Sequence, residues 1–138
     1  MKDKVIFGPA GKPIEFNGKA HESPEFLGPL GLYAFEYQST YGVRIGESSA
    51  LKLRESAEEN GVLMSMHCPY YVNVCSKEEE KIESTIDRLV QSAKVGEFMG
   101  AYRLVFHPGF YSGRKPETCM DLAKETYTRL LERCEEEG

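Results

Sequence analysis

The sequence predicts an α/β protein of four consecutive βα units. Four short apolar runs alternate with helix-length amphipathic patterns, each pattern closes on a glycine, and two of the runs end in a histidine followed within two residues by proline. The units are drawn at residues 1–31, 32–61, 62–100 and 101–138. A chain of 138 residues, 41% apolar, is long enough to bury one core and is read as a single domain.

The strand candidates are Val5 to Phe7, Leu32 to Tyr37, Val62 to Met66 and Ala101 to Phe106, all rich in β-branched, aromatic or long apolar residues. Helices are expected near 23–30, 47–60, 76–99 and 117–137, the first short and broken by Pro29. Ser76 and Glu79 form a capping-box pattern for the third, whose buried stripe is Ile82, Ile86, Leu89, Val90 and Ala93. In the fourth, Met120, Ala123, Tyr127, Leu130, Leu131 and Cys134 recur at helical spacing and leave the acids outside. Gly31, Gly61 and Gly100 stand where a left-handed residue ends each helix. The helices are expected to cover a parallel sheet buried on both faces.

Four βα units with right-handed crossovers make half of an eight-stranded (β/α) barrel. Half a barrel exposes two strand edges whose amides and carbonyls lack partners. A two-fold rotation would pair the first strand of one copy with the fourth of another, so a homodimer or a missing C-terminal half is expected. The competing fold is an open four-stranded α/β domain whose edges are covered by loop 8–22 and the last helix.

No run of eighteen apolar residues occurs and the first residues carry no signal-peptide pattern, so no membrane association is expected and the cytoplasm is the expected location. Cys68, Cys75, Cys119 and Cys134 show no Cys-x-x-Cys spacing and are read as reduced thiols. The net charge of −5 argues against a strongly electrostatic nucleic-acid binder. It is nevertheless segregated: the loops expected after strands hold Lys12, Lys19, Arg44, Arg114 and Lys115 against Glu15 and Glu22, a net +3, while the rest carries −8. Basic loops on an acidic body suit a polyanionic substrate.

His67 and His107 close adjacent strands forty residues apart, one βα unit, so both imidazoles point to a metal site on the face where strands end. Glu36, near the end of the second strand, is a carboxylate among apolar neighbours, read as a ligand, a general base or a salt-bridge partner. His21 lies in polar loop sequence and is read as a surface or capping residue, and Cys68 as a packed thiol facing away from His67. Tyr70, Tyr71, Phe110 and Tyr111 bring aromatic rings beside basic residues, a surface suited to stacking on bases or sugars, although packing also explains them. Gly8-Pro-Ala-Gly11 lacks Gly-Lys-Ser/Thr and is read as a turn.

Ile6-Phe-Gly-Pro-Ala-Gly11, His67-Cys-Pro-Tyr-Tyr-Val-Asn73 and Val105-Phe-His-Pro-Gly109, in this order and spacing, resemble the N-terminal half of the endonuclease IV family of apurinic/apyrimidinic endonucleases, with archaeal-type members most similar. The resemblance covers essentially the whole chain. It implies a xylose-isomerase-like TIM barrel, zinc bound by His67 and His107 within a three-metal cluster, and DNA contacts around Tyr70 and Arg44. Tyr71, Tyr111 and Arg114, from the aromatic and basic residues of the same loops, complete the substrate-binding candidates. The implied reaction is hydrolysis of the phosphodiester 5′ to an abasic site in DNA, with the abasic sugar flipped out. The family's remaining ligands come from strands five to eight, so the resemblance assigns this chain half of such an enzyme and no complete catalytic set. Two alternatives stand beside it: a non-catalytic self-assembling half-barrel scaffold, natural or engineered, and half of a sugar isomerase or epimerase.

Overall fold

The computed structural model describes residues 5–138. Residues 1–4, which open the first predicted unit, lie outside the described residues. The order is a 3₁₀ turn Ala20–Glu22, α1 (Ser23–Leu27), a second 3₁₀ turn Gly28–Leu30, β1 (Ala34–Gln38), α2 (Glu47–Glu59), β2 (Leu63–His67), α3 (Glu79–Phe98), β3 (Leu104–Val105) and α4 (Pro116–Glu137). The strands form a parallel sheet in the order β1-β2-β3, with Gln38 opposite His67 and His67 opposite Val105. The sheet is open, and the fold is a partial (β/α) barrel.

The first predicted strand, Val5 to Phe7, does not form as one. Segment 7–11 instead lies parallel to β1 through a single bridge, Ala10 to Glu36. Ala34 and Glu36 donate their amides to the carbonyls of Phe7 and Pro9, and Gly11 donates to Glu36. The ladder is interrupted because Pro9 has no N–H to give the Ala34 carbonyl. Gly8 passes so close to β1 that a Cβ there would overlap the Ala34 carbonyl oxygen. β3 is shorter than the predicted 101–106, as an edge strand paired on one side. Flanking residues extend the ladder: the Tyr102 N–H donates to the Met64 carbonyl of β2, and the Cys68 N–H, just past β2, donates to the Val105 carbonyl.

The helices cover one face of the sheet, not two. Phe35, Met64 and Met66 are buried on that face with Leu27, Leu53, Ala57, Val95 and Met99. On the opposite face Leu63 and Val105 are each 43% exposed, while Glu36, Ser65 and His67 are half-buried. In a closed barrel the facing strands fill that side; among the described residues nothing covers it.

α3 carries its predicted stripe, with Ile82, Ile86, Leu89 and Val90 buried and Ala93 partly so. The capping box fails, because the Ser76 hydroxyl accepts the Glu78 amide at 3.2 Å in a preceding turn and the helix starts at Glu79. α4 packs Ala123, Tyr127, Leu130 and Cys134 of its predicted stripe against the core. Cys119 and Thr126 are its buried residues, Thr126 being tolerated because its hydroxyl donates to the Val74 carbonyl at 3.1 Å. Met120 and Leu131, three turns apart on one face, are exposed.

Candidate functional site

β2 ends at His67, and the chain leaving β3 reaches His107 two residues later, so both imidazoles stand where the parallel strands finish. Their ring centroids are 5.3 Å apart with the planes tilted by 47°. Tyr70 packs on both, 5.4 Å from His67 and 5.6 Å from His107. The His67 Nδ1 lies 2.8 Å from the Cys68 carbonyl oxygen. A carbonyl only accepts, so Nδ1 is the donor, and in the neutral ring this leaves the lone pair on Nε2, the tautomer that metal-binding histidines use.

Glu36 lies one layer below. It is opposite Ser65 in register, two residues before the level of His67, about 7 Å along a strand. Its Oε1 accepts from Gln38 Nε2 at 2.8 Å, and its Oε2 lies 3.5 Å from the Ser65 hydroxyl. Among the described residues no three His, Cys, Asp or Glu side chains gather closely enough to hold a metal. The two imidazoles therefore fit a small cation as a partial ligand set, and a complete one needs donors beyond them.

The other predicted contact residues are spread over the strand-end loops. Tyr71 is exposed and its carbonyl accepts from Arg88 at 2.7 Å. Arg44 is partly exposed in the loop after β1. Tyr111 is exposed, and its carbonyl accepts from the Arg114 amide at 2.9 Å. Arg114 has its Nε buried and, among the described residues, without a hydrogen-bond partner. Tyr70 is the member of this set that joins the histidine pair. His21 lies in the first 3₁₀ turn, away from the site.

Sequence reasoning missed the tie between the two histidine loops. Asn73 Nδ2 donates to the Ser112 hydroxyl at 2.9 Å, and Asn73 Oδ1 accepts the Cys75 amide at 3.0 Å. Its own amide donates to Thr85 of α3, and the Val74 amide donates to Pro108, next to His107. Gly109 is required here, since at φ 109° a Cβ would lie 2.6 Å from the Asn73 Cα. The signal was an asparagine two residues before Cys75, an Asx turn. Beneath this tie Cys68, Cys75 and Cys119 pack as unpaired thiols. Burial pushes Cys75 up to about 11 and also raises Cys68.

A parallel partial barrel with histidines at its strand ends defines a class, and the sequence comparison specifies it. Residues 27–138 match the family described as xylose isomerase-like TIM barrel, and the chain belongs to that family. It is 37% identical over 131 residues to an uncharacterized protein of Methanocaldococcus jannaschii, covering 95% of this chain and 46% of that protein. It is 28% identical over 89 residues to a probable endonuclease 4 of Ureaplasma urealyticum, covering 64% of this chain and 28% of that one. The chain thus spans less than half the length of these relatives. Endonuclease IV from Thermus thermophilus superposes with a TM-score of 0.71 at 21% identity, over 94% of this chain and 47% of that one. A 3-keto-D-glucoside 4-epimerase from E. coli superposes nearly as well, with a TM-score of 0.70 at 13% identity over 95% and 52%. At these identities the superpositions show the fold alone. Among the described residues no helix is long and apolar enough to cross a membrane.

Proposed function

We propose that this chain is half of a metal-dependent phosphodiesterase acting on abasic-site DNA, working in a barrel completed by a second copy or by another half-barrel segment. The observation that carries the reading is the pair of imidazoles 5.3 Å apart at adjacent strand ends. His67 and His107 hold part of a zinc site, with His67 Nε2 kept available by its Nδ1 bond to Cys68. When bound, the metal supplies Lewis-acid polarisation of the phosphodiester. Glu36, held by Gln38, places negative charge below the cation. Tyr70 walls the site on one side. Tyr71, Tyr111, Arg44 and Arg114 grip the flanking nucleic acid. The free thiols support a reducing compartment, the cytoplasm.

The test is zinc titration of the full chain and of His67→Ala plus His107→Ala, with incision of a synthetic abasic duplex assayed with and without chelator. The wild type is expected to bind zinc at least tenfold more tightly than the double variant, with chelator-sensitive incision by the completed barrel. Equal zinc affinity in the two proteins would overturn the site. Zinc binding without incision would leave the scaffold reading in place of the enzyme.

A further inference from the structure

Three buried cysteines lie beneath the tie between the histidine loops, and two of them meet from distant parts of the chain. Cys75 precedes α3, and Cys119 lies in the first turn of α4, 44 residues on. The Cys75 thiol donates to the Cys119 carbonyl at 3.2 Å, and the Cys119 thiol donates to the Tyr111 carbonyl at 3.4 Å. Both sulfurs therefore stand at the junction of the loop after β2 with the start of α4.

Burial first, and then the hydrogen bond and charge of the adjacent Cys119 thiol, push the Cys75 thiol up to about 11, while the charge of Arg114 works the other way. The other two cysteines are placed apart from this pair. Cys68 is engaged by the Ser92 hydroxyl of α3. Cys134 lies four turns beyond Cys119 on the same helix, about 22 Å away.

We infer that Cys75 and Cys119 are a redox pair, which oxidation joins in an intramolecular disulfide that clasps the loop after β2 to the start of α4. With hydrogen peroxide as the oxidant, the Cys75 thiolate attacks one peroxide oxygen, the O–O bond breaks and hydroxide leaves, giving a sulfenic acid on Cys75. The Cys119 thiolate then attacks the sulfenic sulfur, the S–O bond breaks and the second oxygen leaves as hydroxide. The two thiols give up two protons and two electrons, and the peroxide becomes two waters. Cys75 is the attacking residue because it keeps the larger exposure, 8% against 3%. Burial makes the reaction slow beside that of an exposed sensor thiol, and it shields the finished bond from external thiols. The clasp bears on the candidate site because Asn73, which holds the Cys75 amide, also holds Ser112 in the His107 loop. It stands independently of the phosphodiesterase reading.

The experiment treats the reduced full chain with hydrogen peroxide, blocks the remaining thiols with N-ethylmaleimide under denaturing conditions and maps the peptides by mass spectrometry. The expected product is a chain two hydrogens lighter before blocking, with peptides joined through Cys75 and Cys119, alkylated Cys68 and Cys134, and full reversal by dithiothreitol. Its urea midpoint is expected to lie above that of the reduced chain, because the bond closes a long loop in the unfolded state. Cys134→Ser should form the bond as the wild type does and Cys119→Ser should not, with circular dichroism checking the fold of each. The peptide map of the wild type decides the pairing by itself, so a variant that fails to fold leaves the test intact. Four alkylated thiols after treatment, sulfinic or sulfonic acids without a link, or a link through Cys68 or Cys134 in its place would overturn the pair. So would a midpoint that falls on oxidation, which would mark a forced bond in place of a clasp.

Discussion

Asn73 shows how much of the site depends on a residue that carries no chemistry. One side chain satisfies the Cys75 amide and holds Ser112, so the loops carrying His67 and His107 keep a common geometry. Asn73→Ala leaves the Cys75 amide unpaired and is expected to cost about 1–3 kcal/mol. In urea the unfolding midpoint should fall with the m-value unchanged, whereas an unmoved midpoint would mean that the loops are held by other contacts. The histidines themselves were legible in the sequence, because strand-end placement follows from the apolar run before each. The layer of Glu36 was not legible, since it depends on register with β2.

At the scale of elements, α3 and α4 are joined by two kinds of contact of unequal weight. Ile82, Ile86 and Val90 bury against Leu130 and Cys134, while Arg129 and Arg133 bridge to Glu79, Glu83 and Asp87 outside. Ile86→Ala should destabilise by about 2–5 kcal/mol. Arg129→Ala should cost about 1 kcal/mol or less and lose its effect in high salt, because the pairs are solvent-exposed. Denaturant unfolding of both variants at two salt concentrations checks the order, and a larger loss for the arginine would reverse it. The stripe of α3 was readable because Ile82, Ile86, Leu89, Val90 and Ala93 recur at helical spacing along one side. That of α4 was misread at Met120 and Leu131, because an apolar residue at helical spacing does not reveal which flank has a partner.

For the whole molecule, the uncovered sheet face is the main consequence of the fold. Leu63 and Val105 stay half-exposed where a barrel would place facing strands, and the sheet ends in segment 7–11 on one side and β3 on the other. Association with another half-barrel is expected to bury both. Native mass measurement should show a dimer of the wild type, with Val105→Glu shifted toward monomer by a charge placed on the inner face. A wild type that stays monomeric at high concentration would show that this face tolerates water.

The sequence by itself determined the βα alternation, the helix spans to within a few residues and the two histidines. These follow from local periodicity, glycine stops and turn chemistry within a few residues of each position. The tertiary structure alone decided that Pro9 interrupts the first ladder, that one sheet face lies open, that Glu36 sits below the imidazoles and that Asn73 ties their loops. Each of these depends on register or contact between residues distant in sequence, where a shift of one or two positions changes which side chains meet.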